Sequence, residues 1–228
     1  MHPDSSMLHT AEIVHWIALA AMAVVYTLRL AWLFRFKAGA DRSAPGGPER
    51  TDARRGAVYS LFNVAMPWSM ESTRRGFVFY LTFVLFHLGV VAGIGLAFVS
   101  TLAPDALRVP VVSLIIGSLL CIAFVLGLVR LIRRLVVPVM RLISTPDDYF
   151  SLVMLTVWFA LGAATQAHLS GIEGFGNVAI LVAYLYLTSF FLLYVPFSKI
   201  SHYLYYPFTR IWIGRALGHR GSFPVVRG

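Results

Sequence analysis

The chain has 228 residues, of which 58% are hydrophobic and 13% charged, with a mean hydropathy of +0.76. An ordinary soluble domain is roughly 25% charged, so this composition excludes a water-soluble globular fold. The net charge of +9 comes from basic residues gathered between apolar runs, without a basic face interleaved with stacking aromatics. That pattern speaks against nucleic acid and for membrane topology and contact with anionic lipid.

Residues 1–12 carry Asp4 and Glu12 but no Lys or Arg. They lack the positive segment of a cleaved signal peptide, so the first span is expected to be retained. Apolar runs follow at 13–34, 77–102, 109–129, 150–167 and from 178, the last expected to continue as helix to 208. Each approaches the roughly 20 residues that cross a bilayer as helix. The expected fold is therefore an all-α integral membrane protein, a five-transmembrane-helix bundle forming one domain over 1–228.

Between the first two spans lies a loop, 35–76. Its part at 38–55, rich in Gly, Pro and charge, reads as mobile. The part at 56–72 mixes apolar and polar residues around Met66-Pro67-Trp68 and reads as an interfacial amphipathic segment, with Trp68 at headgroup depth, the alternative being a solvated connector. No internal repeat interrupts the chain.

Of the 19 Lys and Arg residues, 17 fall in this loop, in the run Arg130, Arg133, Arg134 and Arg141 after span three, or at and beyond the end of span five. Arg108 stands alone on the opposite side, and Arg29 sits in span one close enough to its end to snorkel. The basic side is expected to be cytoplasmic, which puts the N-terminus outside and the C-terminus inside.

No Asp, Glu or Lys lies well inside a span, so a carboxylate relay for protons or ions is missing. The single cysteine, Cys121, lies in an apolar run and is expected to be a small buried hydrophobe. With one cysteine there is neither an internal disulfide nor a thiolate cluster, and iron–sulfur chemistry would have to reside on another subunit. Histidines remain.

His87 lies about 15 Å into span two at the helical rise. A lone histidine in an apolar helix is ordinarily a hydrogen-bonded packing residue. Gly89 and Gly93 on the following turns leave room either for a neighbouring helix or for the flat face of a porphyrin. His202, in Pro196-Phe197-Ser198-Lys199-Ile200-Ser201-His202, stands about 9 Å above the expected end of span five. A bis-histidine haem needs two neutral imidazoles from facing helices at matching depth, and spans two and five could supply one each.

His15 and His168 fall near the outer ends of spans one and four, at similar depth. Their expected role is interfacial, with ligation of a second haem or contact with quinone as the alternative. Thr145-Pro146-Asp147-Asp148 is expected to cap span four, with proline in the first turn and acids at the positive end of its dipole. Arg130, Arg133, Arg134 and Lys199 read mostly as topology markers, one or two of which could pair with haem propionates.

Phe86-His87-Leu88-Gly89, Thr145-Pro146-Asp147-Asp148-Tyr149-Phe150 and Pro196-Phe197-Ser198-Lys199 with His202 resemble, in that order, the gamma subunit of respiratory nitrate reductase. They are still more similar to the cytochrome b subunits of sulfite-reduction-associated and heterodisulfide-reductase-like membrane complexes. The resemblance covers about residues 10 to 210. It implies a haem b subunit of a bacterial or archaeal cytoplasmic membrane that passes electrons between menaquinone or ubiquinone and a cytoplasmic iron–sulfur subunit.

By the same resemblance, His87 and His202 match the axial pair of the haem nearest the cytoplasmic partner. Arg108 matches a basic residue lining the family's quinone site, although a loop anchor explains it equally well. The second pair departs: Ala97 and Tyr184 stand where the family has histidines, so one haem b is expected rather than the family's two. The rival expectation is a haem-free membrane anchor or assembly subunit, or a small transporter. The lack of buried carboxylates and of broken helices with midplane polar groups argues against transport.

Overall fold

A computed structural model describes residues 3–37, 39, 41–46, 52–174 and 177–224. Its regular structure is entirely helical among these residues: α1 (Pro3–Leu33), α2 (Ala53–Phe62), α3 (Glu71–Arg75), α4 (Phe77–Leu102), α5 (Pro110–Val136), α6 (Pro138–Ile143), α7 (Pro146–Leu169), α8 (Val178–Tyr194) and α9 (His202–His219). Five segments are long and apolar enough to cross a membrane: Ser6–Leu33, Phe77–Leu102, Pro110–Val136, Pro146–Leu169 and Val178–Phe197. This is the pattern of a multi-pass membrane protein.

The first helix begins at Pro3, ten residues before the expected start of its apolar run, and two further boundaries differ from expectation, each for a local reason. Span three does not stop before Arg130; α5 runs on to Val136, because Leu131, Ile132 and Leu135 keep the apolar pattern going past the first arginine. Arg130 thus becomes a residue of the span itself. The fifth run does not continue as one helix to 208. It ends at Tyr194 and passes through two 3-10 turns, Val195–Phe197 and Lys199–Ser201, before α9 begins at His202. Pro196 brings no amide to the ladder, and the Ser198 hydroxyl accepts from the Ile200 amide at 3.2 Å to start the next turn.

The chain divides into two compact units, Met1–Ala21 with Leu81–Leu193, and Met22–Tyr80 with Tyr194–Gly228. In the first, Leu96, Leu107, Leu120, Phe159, Tyr184 and Leu185 are fully buried. Its helices approach closely through glycine. A Cβ on Gly127 would lie 2.5 Å from Thr156 Oγ1, joining α5 to α7, and one on Gly162 would lie 3.2 Å from the Tyr184 ring. Small residues permit this where no hydrophobic force separates helix from lipid. The α7 start is capped as expected: the Thr145 amide donates to Asp148 Oδ2 at 2.8 Å, with Pro146 in the first turn. Cys121, expected to be buried, is exposed on α5; in lipid an apolar exposed position is as comfortable as a core one.

In the second unit α2 lies against α9 with almost no side chain between them. A Cβ on Gly214 would meet Ser60 Cβ at 2.6 Å, and one on Gly56 would meet Gly218 Cα at the same distance. Arg210 Nε donates to Ser60 O at 3.0 Å and Tyr206 to Leu61 O at 3.0 Å. The segment expected to be a mobile loop is instead tied down where it is described. Gly46 N donates to His219 O at 2.9 Å, His219 Nε2 to Ser43 O at 2.7 Å, and Arg220 Nε to Asp41 Oδ2 at 2.6 Å. Asp52 then caps α2 through the Arg55 amide at 2.7 Å. Backbone groups in a Gly- and Pro-rich stretch still require partners, and the end of α9 supplies them. The rest of that stretch, 38, 40 and 47–51, lies outside the described residues.

Candidate functional site

His87 is half-buried on α4 in the first unit, with the Phe83 ring centre 4.2 Å and the Phe86 ring centre 6.1 Å from its own. Its Nδ1 lies 2.8 Å from Phe83 O. A carbonyl can only accept, so Nδ1 carries a proton, and in the neutral form of the ring the lone pair is on Nε2. His202 repeats the arrangement at the start of α9 in the second unit, with Nδ1 3.0 Å from Lys199 O. Both imidazoles are therefore held in the tautomer that ligates a metal through Nε2, oriented by a backbone acceptor on the other side of the ring.

His202 itself is exposed. Tyr203 shares a hydrogen bond of 2.5 Å with Tyr26 of α1, and the Arg29 guanidinium sits 5.3 Å from the Phe197 ring centre. That contact gives Arg29 a partner inside an apolar helix, where a charge is otherwise costly.

The two glycines near His87 face neighbouring helices. Gly89 abuts Ala123 of α5, and a Cβ there would lie 3.2 Å from Leu119 O; a Cβ on Gly93 would lie 2.5 Å from Trp158 Cη2. Of the two uses open to these glycines, close helix packing takes the space. Next to His87, Phe86 is buried against Phe159, ring centres 5.2 Å apart, and carries the Arg130 guanidinium 4.5 Å from its own ring centre. Arg130 Nη2 is shut off from solvent with no hydrogen-bond partner. The sequence places this arginine after the end of span three, as a topology marker, whereas the structure puts it inside the helix. The signal for that was Leu131, Ile132 and Leu135 continuing the run.

Two further positions stand where the resemblance would put a second pair of histidines. Ala97 and Tyr184 are fully buried. The Tyr184 phenol donates to the Gly93 carbonyl, its ring stacks on Trp158 with centres 6.0 Å apart, and Trp158 Nε1 donates to Thr188 Oγ1 at 2.8 Å. A phenol already committed to a backbone carbonyl, in a gap closed by an indole, does not fit the donor set of a bis-histidine haem.

The remaining candidates are placed separately. His15 is 1% exposed, and neither ring nitrogen has a hydrogen-bond partner, so it makes no bond to His168; its ring is edged by Trp16 and Phe98, with centres at 6.1 and 6.2 Å. His168 is half-buried in the last turn of α7. Arg108, at the end of a 3-10 turn (Pro104–Arg108), lies 3.6 Å from Asp105 with both side chains exposed, the geometry of a loop anchor. No group of three or more His, Cys, Asp or Glu converges among the described residues.

No family model matches the chain, and no solved structure does. A protein of Nitratidesulfovibrio vulgaris (strain Hildenborough) is 26% identical over 212 residues, which cover 91% of this chain and 88% of that one. The similarity covers nearly the whole of each protein.

Proposed function

We propose that this chain is a haem b-binding membrane subunit that relays electrons between membrane quinone and a cytoplasmic iron–sulfur partner, with the N-terminus outside and the C-terminus in the cytoplasm. The observation that carries the reading is the shared geometry of His87 and His202. Each has Nδ1 fixed on a carbonyl three or four residues earlier and Nε2 left as the donor. Haem, when bound, supplies one-electron transfer, at a potential set by its axial ligands, burial and nearby charge.

The protein's own part is to hold and tune. His87 and His202 would bind the iron, Phe83 and Phe86 would exclude water on one side, and Arg29 and Arg130 add positive charge within apolar surroundings. The closed packing of Tyr184, Trp158 and Gly93 favours one haem over two. Basic residues on the cytoplasmic side suit an acidic partner face. An optical spectrum of the purified protein, oxidised and then reduced with dithionite, tests the reading. Sharp low-spin α and β bands on reduction are expected; a featureless visible region would leave a haem-free anchor.

A further inference from the structure

Within the second unit, the end of the first span and helix α9 enclose an open groove of about 1140 Å³. Its walls are tied together. The Phe34 ring meets Phe208 edge-on with centres 5.5 Å apart, and Trp212 Nε1 donates to Gly39 O at 3.1 Å. The lining has two characters. Phe34, Phe36 and Trp212 are each more than half exposed, and beside them Lys37, Arg42 and Arg215 are exposed with no carboxylate partner among the described residues. The acid among the described lining residues, Asp41, is already neutralised by Arg220. Leu33, where the first apolar span ends, lines the groove as well. The groove therefore opens where acyl chains give way to headgroups, the depth at which aromatic rings and basic side chains collect.

We propose that this groove binds one anionic phospholipid, its phosphate paired with the cations Lys37, Arg42 and Arg215 and its acyl chains covering Phe34, Phe36 and Trp212. The inference depends neither on the haem reading nor on the side of the membrane that the groove faces. A guanidinium offers two parallel N–H donors to phosphate oxygens, and the lysine adds a point charge. Rings and cations together select the occupant. A soluble phosphate would balance the charge and leave the rings in water. A zwitterionic lipid would cover the rings but bring its own ammonium towards three cations, and like charges repel. An anionic lipid meets both demands.

Full-length protein, delipidated by washing in dodecyl maltoside, would be titrated with phosphatidylglycerol or phosphatidylcholine carrying the same brominated acyl chains, and tryptophan quenching followed. Wild type should bind phosphatidylglycerol saturably and more tightly than phosphatidylcholine, and Trp212→Phe should remove most of the saturable quenching. Arg42→Gln and Arg215→Gln should each weaken phosphatidylglycerol about fivefold, the loss of one cation beside a lipid phosphate. Arg215→Lys should keep most of the affinity, which guards against a fold that fails without the charge. Arg141→Gln, an exposed arginine of α6 outside the groove, should change nothing. Equal binding of the two lipids by wild type, or an equal loss in Arg141→Gln, overturns the site in favour of unspecific attraction. Saturable quenching unchanged in Trp212→Phe places the lipid elsewhere and overturns it too. Displacement of phosphatidylglycerol by glycerol phosphate overturns the lipid in favour of a free phosphate. No lipid preference together with saturable binding of an oligoglutamate peptide overturns it in favour of an acidic protein segment.

Discussion

The Gly93 backbone on α4 lies directly under the Trp158 indole, so close that a Cβ would come within 2.5 Å of Cη2 and 2.8 Å of Cζ3. The indole cannot swing away cheaply, because its Nε1 is bonded to Thr188 and its face is stacked on Tyr184. Gly93→Leu should therefore cost about 1 to 3 kcal/mol through overpacking, read as a lower thermal midpoint in detergent. Trp158→Phe should recover part of the loss in the double variant. Unaltered stability in Gly93→Leu would mean that the space beside Gly93 is open after all.

One haem b per chain is expected from a pyridine haemochrome assay against protein concentration. On the proposed ligation, His87→Ala and His202→Ala should each abolish the low-spin spectrum. His15→Ala and Tyr184→Phe should leave the haem content unchanged. Two haems per chain would sink the single-site reading, and His15 would be the first residue to revisit.

Asp41 receives Arg220 Nε at 2.6 Å and the Ser43 amide and hydroxyl at 3.0 and 2.8 Å. The Arg220 bond above all, then the Ser43 bonds, hold its carboxyl well below the ordinary value of 3.8. A carboxylate depressed in the folded state contributes its tie fully above pH 3.8 and loses it as the pH falls through the lower folded value. A spin label at Ala44→Cys, in a Cys121→Ser background, should thus stay immobilised from neutral pH down to about pH 4 and loosen only in stronger acid. Asp41→Asn should loosen the label at every pH. A label that loosens between pH 7 and 5 would show that the Asp41 carboxylate does not hold the tether.

Orientation is open to a direct measurement. A reporter inserted at Gly171, in the turn after α7, should behave as external, and one fused after Gly228 as cytoplasmic. The reverse pattern would place the arginine-rich segments outside and remove the argument for a cytoplasmic iron–sulfur partner.

Sequence alone determined the five apolar helices, because a membrane demands about 20 apolar residues whatever the surroundings, and Phe77–Leu102 was legible to the residue. The cap at Thr145 was equally legible, being chemistry among four adjacent residues. His87 and His202 could be picked out as chemistry-bearing groups in an apolar chain, but not the carbonyls that fix their tautomers. Tertiary structure decided the rest. Gly89 and Gly93 read the same whether a helix or a porphyrin fills the space beside them, and only the position of Ala123 and Trp158 chose the helix. The tethering of 41–46 depended on residues about 175 positions away in sequence, at His219 and Arg220. Arg130 reads in sequence as a topology marker after span three, because its contact with Phe86 depends on another helix. Local pattern specifies where a helix runs; which of its faces meets which neighbour is fixed by packing across the chain.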